Sequence, residues 1–247
     1  MSDTQETDAK FDISAEDVFK PTKGDAAYRG LKIGLGGIPV FGGVAAELFG
    51  SFIAEPQAKR LEAFLISVDE GLKTLEEKVE GFSIDKLVEN EIFVSTTIQA
   101  YQAVIRTHSK EKHEALRNAV LNSALPKAPD ENRQAMFIQL CDELTDLHMH
   151  VLKLFEGTGI PSINLDDADW RKNIALKELA DLIETTYPDY EGEFSLYIQV
   201  IDDLHRRGLI VNKLPAKNLM TKIARSPTLS PFAKEFLAFI KSPFDDD

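Results

Sequence analysis

Two long series of apolar residues, spaced alternately by four and three positions, constrain the fold more than any other feature of this sequence. The first series is Leu61, Leu65, Val68, Leu72, Leu75 and Val79. The second is Phe137, Leu140, Leu144, Leu147, Val151 and Leu154. This heptad spacing places each series on one face of an α-helix that packs against another helix. We therefore predict helices over residues 56–79 and 130–157, ended by Gly81 and Gly157.

Two further helices are predicted between these series. One begins at Ser83 as N-cap and runs to about His108, and the next follows Ser109 and stops before Pro126. The connections are short and polar, which favours antiparallel neighbours. Residues 56–157 are therefore predicted to form a helical bundle.

A smaller unit is predicted over residues 168–243. The stretch 158–167 favours turns and continues neither flanking helical face, so we place a domain boundary there. Beyond it the pattern predicts helices over 169–186, 194–207 and 230–241, with one short β-leaning run at 209–211. The predicted fold class is mainly α, a helical bundle followed by a smaller winged-helix-like α(+β) unit.

The residues before the bundle differ sharply in composition. Residues 1–29 contain few large apolar side chains and many charged ones, which predicts a mobile acidic tail. Residues 30–55 are apolar and glycine-rich. Within them small residues recur every four positions and would form a ridge that lets another helix approach closely; they are Gly42, Ala46, Gly50 and Ala54. Two interpretations stay open, a helix buried in the core or a conditional membrane-active element.

Charge is unevenly distributed along the chain. The sequence has 28 Lys and Arg against 41 Asp and Glu, a formal net charge of −13, yet residues 205–241 are strongly basic. The candidate anion-binding or partner-binding residues in this stretch are Arg206, Arg207, Lys213, Lys217, Lys222 and Arg225. They are typical either of a phosphate-binding surface or of a face that docks on the acidic body of the same or a neighbouring chain.

No pattern in the sequence predicts catalysis, a cofactor or a metal. The glycine-rich stretch lacks the third glycine of a dinucleotide fingerprint and the lysine of a phosphate-binding loop. On one continuous helix, Asp142, Asp146 and His150 would share a solvated face, and we expect no metal there. Cys141 lies beside the apolar seam and is expected to be a small buried residue.

A cluster of basic residues surrounds the start of the third predicted helix. His108, Lys110 and His113 belong to it, and they attract a phosphate or carboxylate in principle. Glu111 and Glu114 lie among them, and we expect these acids to neutralise much of the field. The sequence therefore predicts an ordinary surface helix end.

The expected compartment is the cytoplasm. Cys141 is the one cysteine of the chain, so no intramolecular disulfide can form. The first ten residues carry acid where a secretory signal would carry base, and we expect no export signal.

Parts of the sequence resemble two known classes of protein. FSLYIQVIDDLHRRGLIV, residues 194–211, and TLSPFAKEFLAFIKSP, residues 228–243, resemble the core and closing helices of winged-helix domains, although no second β-branched run appears before Pro215. The chain is also similar to bacterial abortive-infection alpha-like proteins over about residues 30–243. The similarity rests on the glycine-rich segment, on RTHSKEKHEALRNAVLNSAL (residues 106–125) and on SPFAKEFLAFI (residues 230–240). This second resemblance implies a bacterial cytoplasmic protein of antiviral defence.

We therefore expect a non-enzymatic interaction protein that binds a protein partner or itself through the bundle and the C-terminal unit. A nucleic-acid-binding winged-helix regulator and a conditional membrane-perturbing effector are the alternatives.

Overall fold

The computed structural model describes residues 55–157, 174–212 and 227–245. Several predicted features lie outside these residues: the tail at 1–29, the apolar segment with Gly42, Ala46, Gly50 and Ala54, and the boundary at 158–167. Lys213, Lys217, Lys222 and Arg225 also lie outside them.

The described residues are mainly α-helical, as predicted. The helices are α1 (Glu55–Lys78), α2 (Glu91–Arg106), α3 (Lys110–Ser123), α4 (Glu131–Glu143), α5 (Asp146–Gly157), α6 (Ile174–Thr186), α7 (Phe194–Arg206) and α8 (Pro231–Ile240). Short 3-10 helices occupy Ile84–Glu89 and Pro188–Tyr190. Strands β1 (Ile210–Asn212) and β2 (Pro227–Leu229) pair antiparallel, with Ile210 opposite Leu229. Within the described ranges, no helix has both the length and the apolar character needed to cross a membrane.

The prediction of one helix from Ser83 to His108 is wrong. Ser83 makes no side-chain cap, and a 3-10 helix ends at Asn90. The side chain of Asn90 accepts a hydrogen bond from the backbone N–H of Phe93 and starts α2 there. An Asn that satisfies a free backbone N–H favours a new helix start over continuation.

The prediction of one helix over 130–157 is also wrong, although the burial of its seam is confirmed. Leu144 has an extended backbone (φ −69°, ψ 139°) that separates α4 from α5. Leu144, Leu147 and Val151 are nevertheless fully or almost fully buried. Apolar spacing predicted which side chains face the core, but not that the chain bends between them.

The other predicted helices of the bundle are confirmed. α1 carries the first heptad series into the core from Leu61 to Leu75, while Val79, just beyond its end, is partly buried. Gly81 follows with a φ of +77°. Ser109 caps α3, since its hydroxyl accepts a hydrogen bond from the N–H of Lys112. α3 ends before Pro126, as predicted.

Helix α3 is the central element of the described structure. It packs against α1, α2, α4 and α8, and most of its side chains from Ala115 onward are buried. Its first turn, in contrast, is exposed. The fold therefore holds this helix rigidly from several sides and presents its N-terminal turn at the surface.

The C-terminal helix shares the bundle's core. The ring of Phe137 on α4 lies 5.1, 5.7 and 5.5 Å, centroid to centroid, from Phe232, Phe236 and Phe239. α7 and β2 pack on α5. The second strand was missed by the sequence analysis because it is three residues long, starts with a proline and directly precedes α8. The winged-helix resemblance of this part stays a prediction.

Candidate anion-binding pocket

Arg206 and Arg207, two of the predicted partner-binding residues, both form ion pairs within the chain. Arg206 pairs with Asp202 one turn earlier on α7. Arg207 donates from Nε to Asp203 over 2.8 Å and from Nη1 to Glu143 of α4 over 2.6 Å. The contact with Glu143 joins the end of α7 to α4. These pairs occupy both guanidinium groups in the described structure.

The break between α4 and α5 separates the acids that we expected on one helical face. Asp142 receives two hydrogen bonds from Arg106, whereas Asp146 accepts one from the hydroxyl of Ser109 over 2.7 Å. His150 lies 2.6 Å from Glu111. The prediction of a shared face is therefore wrong for Asp142, whereas Asp146 and His150, one turn apart on α5, line the same cavity. No group of three or more His, Cys, Asp or Glu side chains in the described ranges is arranged to hold a metal ion.

Cys141 is buried, as predicted. Burial raises the pKa of its thiol to about 12, so the reactive thiolate is scarce at neutral pH. This environment is typical of a structural cysteine.

The exposed first turn of α3 forms one wall of a cavity of about 430 Å³, which we call the basic pocket. α1 forms the opposite wall and the loop before α3 closes one end. Its lining residues are Arg60, Ala63, Phe64, Ser67, His108, Lys110, His113, Glu114 and Arg117. Four of these residues lie on α1 and four on α3. In each helix they are three or four positions apart or adjacent, so they share one helical face.

Backbone acceptors hold two of the basic side chains in place. Arg117 donates from Nε to the carbonyl of Ser67 over 2.9 Å and from Nη1 to the side chain of Asn118 over 3.1 Å. His113 Nε2 lies 3.1 Å from the carbonyl of Thr107. These contacts fix Arg117 and His113 against α1 and the loop. The positive charge of Arg117 is not neutralised, because a carbonyl carries no full charge.

The remaining basic side chains form no ion pair with any residue that the structure describes. The Nε of Arg60 is buried and has no hydrogen-bond partner among the described residues, and such an orphaned donor is costly. Lys110 and His108 are exposed, and no described carboxylate pairs with either. Arg60, Lys110 and His108 therefore line the basic pocket with no described carboxylate as partner.

Of the two acids expected to neutralise the basic cluster, only Glu114 lines the basic pocket. Glu111 does not line the basic pocket, since its carboxylate pairs with His150 on a neighbouring side of α3. Glu114 is the one carboxylate among the lining residues, against three permanently charged side chains, Arg60, Lys110 and Arg117. Sequence reasoning missed Arg60 and Arg117, because only the packing of α1 on α3 brings them to the cluster.

A second cavity of about 430 Å³ lies on the other side of Lys110 and contains aromatic and acidic side chains. His150 stacks on Tyr187 with ring centroids 3.9 Å apart and planes 4° from parallel. Burial, together with nearby Glu111, raises the pKa of the Tyr187 hydroxyl. Because His150 and Glu111 also pair with each other, this region is a joint between α3, α5 and the turn after α6.

Comparison of the chain with protein-family models, with curated proteins and with solved structures finds no match, so the pocket is interpreted from its own chemistry.

Proposed function

We propose that this chain is a non-enzymatic interaction protein that binds an anionic group, a carboxylate or a phosphate, in the basic pocket. The observation that carries the proposal is the convergence of five basic side chains, from α1, α3 and the loop between α2 and α3, on a cavity with one carboxylate. Guanidinium and ammonium groups are the usual protein ligands of both anions.

The surroundings of the basic pocket favour selective binding over general attraction of anions. The chain as a whole carries a formal charge of −13, which repels polyanions at long range. A local basic concavity in such a chain attracts anionic groups that fit inside it. This supports a discrete anionic group in preference to a long nucleic-acid surface.

The ion pairs of Arg206 and Arg207 also argue against a nucleic-acid surface at these residues. A nucleic-acid surface built on these residues would first have to break their contacts with Asp202, Asp203 and Glu143. The basic pocket offers Arg60 and Lys110 without that cost. Membership of an antiviral defence system and self-association remain part of the proposal as expectations from the sequence.

Calorimetric titration with sodium acetate and with sodium phosphate at constant ionic strength tests the proposal. The informative variants are Arg60→Gln and Lys110→Gln, which remove charges that no described carboxylate pairs with and should retain the native fold, as thermal unfolding checks. Each should weaken anion binding about tenfold, because a charge-assisted hydrogen bond contributes about 1.5–3 kcal/mol.

Lys127→Gln is the matched control, since Lys127 is an exposed lysine beyond the other end of α3 that does not line the basic pocket. It should bind both anions like the unaltered protein. Equal affinity in all three variants, or no binding of either anion at millimolar concentration, would overturn the proposal.

A further inference from the structure

The relative direction of α1 and α3 determines how charge is arranged along the basic pocket. Arg117 of α3 bonds to the carbonyl of Ser67 of α1. One turn further on in both helices, a Cβ placed on Gly71 would lie 2.6 Å from Leu121. The two contacts have the same offset in sequence, so α1 and α3 run parallel along this wall.

The lining residues follow one another along the two parallel helices. Two turns before Ser67 and Arg117 lie Arg60 and Lys110, about 10 Å away along the helices. This end of the basic pocket therefore holds Arg60 and Lys110, with His108 in the adjoining loop. Arg117, already bonded to Ser67 and Asn118, marks the other end.

The wall between the two ends is apolar on the α1 side. Ala63 is exposed there and supplies most of the apolar surface, whereas Phe64 is 3% exposed and belongs to the hydrophobic core. The cavity volume of about 430 Å³ falls within the range of small-molecule pockets, about 300–1,000 Å³. It is far larger than a single inorganic anion needs.

We propose that the ligand of the basic pocket is a small organic acid, whose anionic group binds at the Arg60–Lys110 end while an apolar chain or ring lies along Ala63 and Phe64. This inference rests on the proposed anion-binding function and names the class of its ligand. An acid of this kind matches the cations that no described carboxylate pairs with, and its apolar part covers the exposed Ala63, whereas a bare ion makes no apolar contact.

A chain-length series tests the inference. The probes are sodium acetate, butanoate and hexanoate, with inorganic phosphate for comparison, titrated at constant ionic strength into the full chain. Affinity should rise along the series by about threefold to fourfold for each fully buried methylene. Hexanoate should also bind more tightly than phosphate.

Two substitutions show where the probe binds. Arg60→Gln should weaken hexanoate binding about tenfold, as for acetate, because the acid group is held at the same end. Ala63→Leu occupies the apolar wall and should remove the gain from acetate to hexanoate while acetate binding persists. Gln102→Leu, which adds an exposed leucine on α2 away from the cavity, should retain the full gain.

The possible negative results distinguish failure of the organic-acid inference from failure of the proposed anion site. If acetate and hexanoate bind equally, and both lose affinity in Arg60→Gln, the organic-acid inference is wrong and the anion site stands. If hexanoate binds Arg60→Gln as tightly as the unaltered protein, it binds elsewhere and the inference is wrong. If no probe binds, the proposed function fails as well. Should Ala63→Leu not fold, the chain-length series in the unaltered protein still decides.

Discussion

Asn118 of α3 donates a hydrogen bond from its side-chain Nδ2 to the main-chain oxygen of Ile240, the last residue of α8, over 3.1 Å. Both residues are buried. The side chain of Asn122, one turn later, donates to the carbonyls of Phe239 and Lys241 at 2.8 Å each. The last carbonyls of a helix have no partner within the helix, and here two asparagines of the central helix satisfy them.

Replacing Asn118 with alanine should therefore destabilise the fold. The substitution leaves the Ile240 carbonyl buried without its donor, and an unsatisfied buried polar group costs about 1–3 kcal/mol. Urea denaturation monitored by circular dichroism measures this loss. Asn132→Ala, at an exposed position of α4, should change the free energy of unfolding by less than about 0.5 kcal/mol. Similar losses in the two variants would contradict this account of how α8 is held.

A second prediction concerns Gly71, where α1 and α3 approach most closely among the glycines described. A Cβ at this position would lie 2.6 and 2.8 Å from the Cδ atoms of Leu121 and 3.0 Å from Nη2 of Arg117. Leu121 is fully buried and has little freedom to move. Gly71→Ala should thus lower the free energy of unfolding by about 1–3 kcal/mol through overpacking, despite alanine's better helix propensity.

Gly157→Ala is the control for that experiment. Gly157 ends α5, and no described atom outside its chain neighbours and its own helix backbone lies within 4 Å of the position its Cβ would take. Alanine there should be neutral or slightly stabilising. If Gly71→Ala were also neutral, the close contact of α1 with α3 would not be a constraint, and the wall of the basic pocket would be more adaptable than the structure indicates.

Sequence patterns predicted the cores of the helices well and their interruptions poorly. The heptad series correctly identified Leu61, Leu72 and Leu147 as buried, because apolar periodicity reports directly which face meets the core. The interruptions at Asn90 and Leu144 depend on single side-chain caps and local backbone angles. These weigh little in a periodicity argument.

The candidate site was only partly visible in the sequence. His108, Lys110 and His113 are close in sequence and were noticed as a basic cluster. Arg60 and Arg117 join them only because α1 packs parallel to α3. Glu111, one position from Lys110, was expected to neutralise the cluster, but His150 of α5 binds its carboxylate elsewhere. Long-range packing therefore determined which charged side chains line the basic pocket.

The thiol of Cys141 should be unreactive in the folded protein. Burial raises its pKa to about 12, so at pH 8 about one molecule in ten thousand carries the thiolate. Modification by a thiol reagent should be at least about a thousandfold slower than in urea, where the thiol pKa returns to about 8.5. Absorbance assays with a disulfide reagent measure both rates. Fast modification under native conditions would show that α4 opens readily.

The last prediction concerns His148, whose imidazole is mostly buried between α5 and α7. Its Nδ1 lies 2.6 Å from the hydroxyl of Thr145, and its Nε2 lies 3.3 Å from a carboxylate oxygen of Asp203. Burial lowers the pKa of His148, with smaller contributions of the same sign from Arg207 and Lys112, while Asp203 acts to raise it. The net direction is downward, so the neutral imidazole is favoured in the folded state.

The lowered pKa of His148 determines how the free energy of unfolding changes with pH. Above the unfolded pKa of about 6.5 the imidazole is neutral in both states, and its contribution to stability is fully present. As the pH falls below that value, the unfolded chain binds a proton that the folded protein does not yet bind. The free energy of unfolding should therefore fall toward acid, by at most about 1.4 kcal/mol per pH unit from this one group.

Urea denaturation at pH 7.5, 6.5 and 5.5 measures the effect, with His148→Gln compared against the unaltered protein at each pH. The unaltered protein should lose stability relative to the variant as the pH falls, because glutamine takes up no proton in either state. Asn132→Gln, at an exposed position that carries no titrating group, serves as control and should follow the unaltered protein. If Asp203 outweighed burial, the unaltered protein would instead gain stability relative to His148→Gln on acidification, and parallel curves would mean that His148 has the same proton affinity in both states.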